Sequence, residues 1–183
     1  MESFSKQEIE NKWPCMGETG KIMSQRLFGC TTPFGQIMQT KSHPDINHFA
    51  VMESFDFPLI TEDWGQEQIP DEILKWCKLK MIEKKWEEHH CRNTQYSNLR
   101  SHISTIHDDI FSTYVKRVEK TLMTFSNLQQ VVVCGFIAQS MFLEAFNLSH
   151  QTIKYKQKNE WRKYDLRFVN HPAHVDQFNH WDY

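Results

Sequence analysis

Residues 130–135, QVVVCG, constrain the fold more than any other stretch of this chain. Three consecutive valines make a continuous β-branched run of the kind buried on both faces of a parallel sheet. Gly135 ends the run, and FIAQSMFLEAF begins a helix at once. DLRFVN (165–170) reads as the last strand, with His171-Pro172 at its carboxyl end.

The remaining segments fill in around this pair. HFAVMESF (48–55) is short, apolar and bounded by turn residues, so it is expected as a further buried strand. A weaker, polar strand is expected near 152–157. The Gly17–Gly20 segment reads as a turn, after which Ile22, Met23, Arg26 and Leu27 follow helical spacing until Gly29 stops the helix. Residues 71–90 form an amphipathic pattern with Ile73, Leu74, Cys77, Met81 and Trp86 on one face. A second pattern over about 97–125 places Leu99, Ile103, Ile106, Ile110, Tyr114, Val118 and Leu122 at steps of three and four. Strands alternating with helices in this order predict one three-layer αβα domain over 1–183 with a central, mostly parallel sheet. Ligands of such sheets bind beyond the carboxyl ends of the strands. Three loops are expected to converge there: those after 48–55, after Gly135 and around His171.

Composition narrows the class. With 183 residues, 39% hydrophobic and 24% charged, the chain is expected to be globular rather than disordered. A net charge of −2 excludes nucleic-acid binding through overall charge, so a local patch would have to carry it. Five cysteines (Cys15, Cys30, Cys77, Cys91, Cys134) lack CxxC spacing, which points to free thiols in a reducing compartment. The polar start has no apolar core of a signal peptide, and no stretch approaches the ~20 apolar residues of a membrane span. A cytoplasmic monomer without a membrane partner is expected, nucleoid or nuclear if it works on DNA.

Four groups of residues carry chemistry. Pro172 holds His171 in extended geometry at a strand end, where it could donate to a carbonyl or a developing anion; the plainer role is a strand terminator. In Met16-Gly17-Glu18-Thr19-Gly20, glycines and a helix start favour an anion, and Glu18 could orient a water. The plainer role is a helix cap. Glu87, Glu88, His89, His90 and Cys91, with His102, His107, Asp108 and Asp109 downstream, invite a zinc reading. Their spacing fits no usual structural site and is not HExxH, so no metal and no cofactor are expected. Lys154, Lys156, Lys158, Arg162, Lys163 and Arg167 fall within fourteen residues, interleaved with Tyr155, Trp161 and Tyr164. Charge for phosphates and flat rings for bases compose a nucleic-acid groove, single-stranded or modified DNA included; a solvated hairpin is the plainer alternative.

The order of segments resembles the uracil-DNA glycosylase superfamily, in particular its compact bacterial and phage branch. PCMGETGKIMSQRLFG looks like that branch's turn and short helix ending in Leu-x-Gly. HFAVMESF looks like its strand ending in Asn-Leu, VVVCGFIAQSMFLEAF like its strand and Ala-containing helix, and NHPAHVDQFNHWDY like its His-Pro-Ser-Gly turn and tail. The chain departs from the pattern with Ala173-His174 for Ser-Gly and Glu53 for the base-reading asparagine. The resemblance implies His171 as the group stabilising the departing base and Glu18 as the water-activating residue. It implies Gly17, Glu53, Gly135, His174 and Asn179 around the substrate, and Val175 and Phe178 in a wedge entering the duplex. Lys154, Lys156, Arg162 and Lys163 would hold the DNA backbone. Ionised Glu53 only accepts hydrogen bonds, which disfavours the O4 of uracil and favours a base edge presenting N–H.

The function expected is therefore a DNA-base glycosylase acting on a flipped base. The alternative is a catalytically silent nucleotide- or DNA-binding module on the same fold. A metal-dependent enzyme using the His-rich helix end is a third reading.

Overall fold

A computed structural model describes residues 5–87 and 92–171. The chain is mixed α/β. Its sheet, among the described residues, has three strands: β1 (Gln130–Cys134), β2 (Asn159–Trp161) and β3 (Tyr164–Val169). Their order is β1-β3-β2. β1 runs parallel to β3, in register from Gln130 opposite Asp165 to Cys134 opposite Val169. β2 is antiparallel to β3 through a tight turn at Arg162-Lys163. One pairing is parallel and one antiparallel, and β1 lies at the edge rather than in the middle.

Seven α-helices complete the described chain: α1 (Lys6–Asn11), α2 (Glu18–Phe28), α3 (Phe34–Thr40), α4 (Asp71–Glu87), α5 (Arg92–Thr105), α6 (Asp109–Thr124) and α7 (Phe136–Ala145). Tyr164, Leu166 and Phe168 alternate on one face of β3 and are buried. That face meets α6, where Tyr164 Oη donates to Leu122 O, and α7, where the Phe168 ring packs edge-on against Phe142. The main core gathers here around Trp76, Leu79, Leu99, Ile103, Ile137 and Met141. A smaller core of Cys15, Met23, Phe34, Ile37 and Ile46 joins α2 and α3.

Several expectations from the sequence need correction, each for a local reason. Residues 48–55 are not a strand. Pro44–His48 form a 3-10 turn in which the His43 Nδ1 accepts from Asp45 N, and Phe55 alone makes an isolated bridge beyond it. The backbone there is held by a side chain, since Arg117 donates to Ser54 O at 2.6 Å. Residues 152–157 turn instead of extending. The Asn159 side-chain amide accepts from Lys154 N and donates to Lys154 O and Gln157 O, closing the turn locally. Gly17–Gly20 is the start of α2 rather than a separate turn, with Gly17 as its N-cap and Gly20 inside it. On α4, Trp76, Cys77, Leu79 and Glu83 are buried, whereas Leu74 and Met81 are exposed; the Trp86 side chain lies outside the described part.

The pattern over 97–125 is two helices, not one. Asp108 Oδ1 accepts from Ile110 N and Phe111 N and starts α6 afresh. Its Oδ2 accepts from the Trp76 indole at 3.0 Å, tying the break to α4. The apolar face continues across the break, with Leu99, Ile103, Tyr114, Val118 and Leu122 buried. Periodicity alone therefore does not reveal it.

Asp108 is thus a cap and the acceptor for a fully buried indole. Asp108→Ala should destabilise the fold by more than the ~0.5–2 kcal/mol of a lost cap, because the Trp76 N–H is also stranded. Asp108→Asn, which keeps an acceptor, should lose much less. Urea unfolding of the two variants checks this; an alanine loss below ~0.5 kcal/mol would contradict it.

Candidate functional site at the strand ends

The register sets the geometry. Cys134 and Val169 are opposite each other at the carboxyl ends of β1 and β3, and Gly135 N donates to Val169 O at 3.0 Å. The loops that follow leave side by side. Gly135 has φ +88, a conformation that side chains other than glycine rarely adopt, and it is the N-cap of α7. His171 is half-buried two residues beyond β3. Gln139 on α7 fastens the pair from beneath. Its Nε2 donates to Val133 O and Val169 O, at 3.0 and 2.5 Å, and its Oε1 accepts from Tyr96 Oη.

A tight turn over residues 12–15 follows α1. Ser5 and Glu8 form a reciprocal capping box at the start of α1, and Lys12 ends the helix at φ 57. Glu8 Oε1 then accepts from Cys15 N at 2.5 Å. Cys15 itself sits at φ 58, and its carbonyl accepts from Gly35 N at 2.9 Å. Two glycines close on this turn from either side. A Cβ on Gly20 would lie 1.8 Å from Cys15 O, and one on Gly35 would lie 2.1 Å from Pro14 O. Backbone meets backbone at both places, so no rotamer change can make room.

Glu53 completes the group. Its carboxylate, that of Glu8 and the Cys15 sulfur lie within 4.8 Å of one another, all buried. Burial, then the neighbouring charge of Glu53, holds the Cys15 thiol well above its ordinary pKa; Glu8 and Cys134 add to the effect. Cys134 projects to the side of the sheet opposite Val133, which belongs to the main core.

The residues nominated from the sequence are distributed as follows. Glu53 is buried beside Glu8 and Cys15, Gly135 follows β1, and His171 follows β3. Gly17 caps α2 without a side-chain hydrogen bond. Glu18 stands exposed in the first turn of α2, 3.3 Å from Lys21. His174, Val175, Phe178 and Asn179 lie outside the described residues. Glu8, Cys15, Cys134 and Gln139 were missed. The capping box of Glu8 was legible in Ser5-Lys6-Gln7-Glu8; no sequence signal marks the other three.

The basic stretch is largely committed to the fold. Trp161 and Tyr164 are buried. The Arg162 guanidinium makes two bonds to Glu119, at 2.9 and 2.8 Å, and lies over the Trp161 and Phe146 rings. The hydrogen bond from Arg162 lowers the Glu119 pKa. Lys158 pairs with Asp165 at 2.5 Å, and Lys163 donates to Ser126 O. Lys154 is exposed, and the Lys156 ammonium lies 5.8 Å from the Tyr155 ring centre. Of the zinc candidates, Glu88 to Cys91 lie outside the described residues, as does the Glu87 side chain. His102 meets Lys75 O, His107 pairs with Glu144 at 3.4 Å, and Asp108 is the cap described above.

No family model, no curated protein and no solved structure matches this chain.

The glycine contacts yield a direct prediction. Gly20→Ala and Gly35→Ala should each destabilise the chain by at least the ~1–3 kcal/mol of an overpacked core. For a chain of this size that is about 2–4 °C of Tm per kcal/mol. Thermal melts of both variants check it, and an unchanged Tm in either would contradict the close approach.

Proposed function

We propose that this chain is a uracil-DNA-glycosylase-like protein that takes a base flipped out of DNA into the carboxyl ends of β1 and β3 and hydrolyses its N-glycosidic bond. The observation that carries the reading is the alignment of those two strand ends. It sets the Gly135 loop and the His171 segment next to each other. The mixed α/β fold, with β1 and β3 parallel, is compatible with this reading.

The chemistry follows from charge. As the bond from the sugar to the base nitrogen lengthens, positive charge grows on the sugar and negative charge on the leaving base. Water adds its oxygen to the sugar carbon, and the base leaves with the bonding pair and gains a proton. A donor from His171 at the base opposes the negative charge where it forms, and a carboxylate near the sugar opposes the positive. Glu53 is buried beside Glu8 and Cys15, while Glu18 is engaged with Lys21 on the outside of α2. Glu53 as an acceptor favours a base edge that presents N–H over uracil. Lys154 and Lys156 are cations available to DNA phosphates. Arg162 and Lys163 would have to exchange Glu119 and Ser126 O for them.

The test is release of base from duplex and single-stranded DNA carrying uracil, methylated or oxidised pyrimidines, and deaminated purines, read as strand cleavage at the resulting abasic sites. His171→Ala should lower turnover by the ~100- to 1,000-fold typical of a lost preorganised donor. Glu53→Gln should lower it more than Glu18→Gln, and Glu53→Asn should move preference toward uracil. If the wild type releases none of these bases, and Glu53→Asn gains nothing, the silent binding module takes the place of the enzyme.

A further inference from the structure

Among the described residues, one group of side chains gathers ligand atoms as a metal ion requires. Glu8, Cys15 and Glu53 each offer one atom, and these atoms lie within 4.8 Å of one another. All three residues are buried, at 6, 0 and 3% exposure. We propose that Glu8, Cys15 and Glu53 form a binding site for a divalent cation of the zinc class, held by two carboxylate oxygens and one sulfur, with a fourth position open.

The donor set selects the ion. Sulfur excludes the preference for magnesium or calcium that oxygen-only sites have, while two carboxylates beside one sulfur suit a borderline ion such as zinc. The size is close. Bonds of about 2.0–2.3 Å around a tetrahedral ion put neighbouring ligand atoms about 3.3–3.8 Å apart. A modest contraction of the group reaches that spacing.

The ligands are also fixed in advance, as a metal site needs. Ser5 N and Ser5 Oγ donate to Glu8 Oε2, and Cys15 N donates to Oε1. Oε2 already accepts two bonds, whereas Oε1 accepts one and keeps a second lone pair, so these bonds orient Glu8 and leave Oε1 able to ligate. Gly20 and Gly35 confine the Cys15 backbone, and Arg117 holds the chain next to Glu53 at Ser54 O. The inference does not rest on the base-binding reading. Glu53 bound through one oxygen keeps the other as an acceptor, so the two coexist.

The experiment uses the full chain, stripped with chelator and titrated with Zn2+ by calorimetry, with Co2+ as the spectroscopic probe. One equivalent should bind, and Co2+ should show sulfur-to-metal charge transfer in the near ultraviolet. Cys15→Ser should remove that band. Cys15→Ser, Glu53→Gln and Glu8→Gln should each weaken Zn2+ binding by no less than the ~10- to 100-fold that loss of an outer-shell partner costs. Cys30→Ser should change neither signal. Circular dichroism establishes that each variant is folded, and the two glutamine variants carry the test if Cys15→Ser is not. No saturable binding, or binding unchanged in the folded variants, overturns the site. Base release plays no part in this measurement, so its failure is separate from failure of the glycosylase reading.

Discussion

One side-chain amide holds the central arrangement together. Gln139 is buried on α7, donates to the carbonyls of Val133 and Val169, and accepts from Tyr96 on α5. Four elements meet at that group: α5, α7, β1 and β3. Its two donors and its acceptor are matched, so a polar group in an apolar core costs little and fixes one geometry. Without it, Val169 O would keep only its bond from Gly135 N, and Val133 O would lose the amide's bond. The adjacency of the Gly135 and His171 segments depends on those strand ends staying level.

The second constraint is the grip of α2 and α3 on the Pro14–Cys15 turn. Helices rarely approach a passing backbone closely enough that a methyl group would overlap a carbonyl. Here two do, through Gly20 and Gly35. The approach fastens the turn to the small N-terminal core and places Cys15 and Glu8 beside Glu53. A buried thiol beside two carboxylates is an unusual neighbourhood. The basic hairpin, whose turn lies at the other end of β3, looked from composition like the binding surface. Its rings and its Arg162 instead close the sheet against α6.

How much of this was legible follows from the range of the forces involved. β1, α7 and β3 were readable because a valine run and an apolar helix carry their own pattern. The α2 stop at Gly29 was readable because glycine adopts that left-handed φ most easily. The 48–55 segment was misread because an apolar run describes burial and not pairing. Its carbonyl at Ser54 is satisfied by Arg117, sixty-three residues away. The break at Asp108 was hidden under a continuous apolar face, although the aspartate that makes it was in plain sight. For the site, Glu53 and Gly135 were named from the sequence with their companions unseen. Cys15 and Cys134 are 119 residues apart, and only the fold brings them together.

The central claim is that a base binds where β1 and β3 end. Two-dimensional NMR of the 15N-labelled chain, titrated with a duplex carrying a single mismatched modified base on a non-hydrolysable 2′-fluorinated sugar, tests it most directly. The account predicts the largest shifts at Gly135, Phe136, Asn170, His171 and Glu53, weakening as salt is raised because phosphates share the contact. Shifts confined to 154–163 with the strand ends unmoved, or no shifts at all, would contradict it.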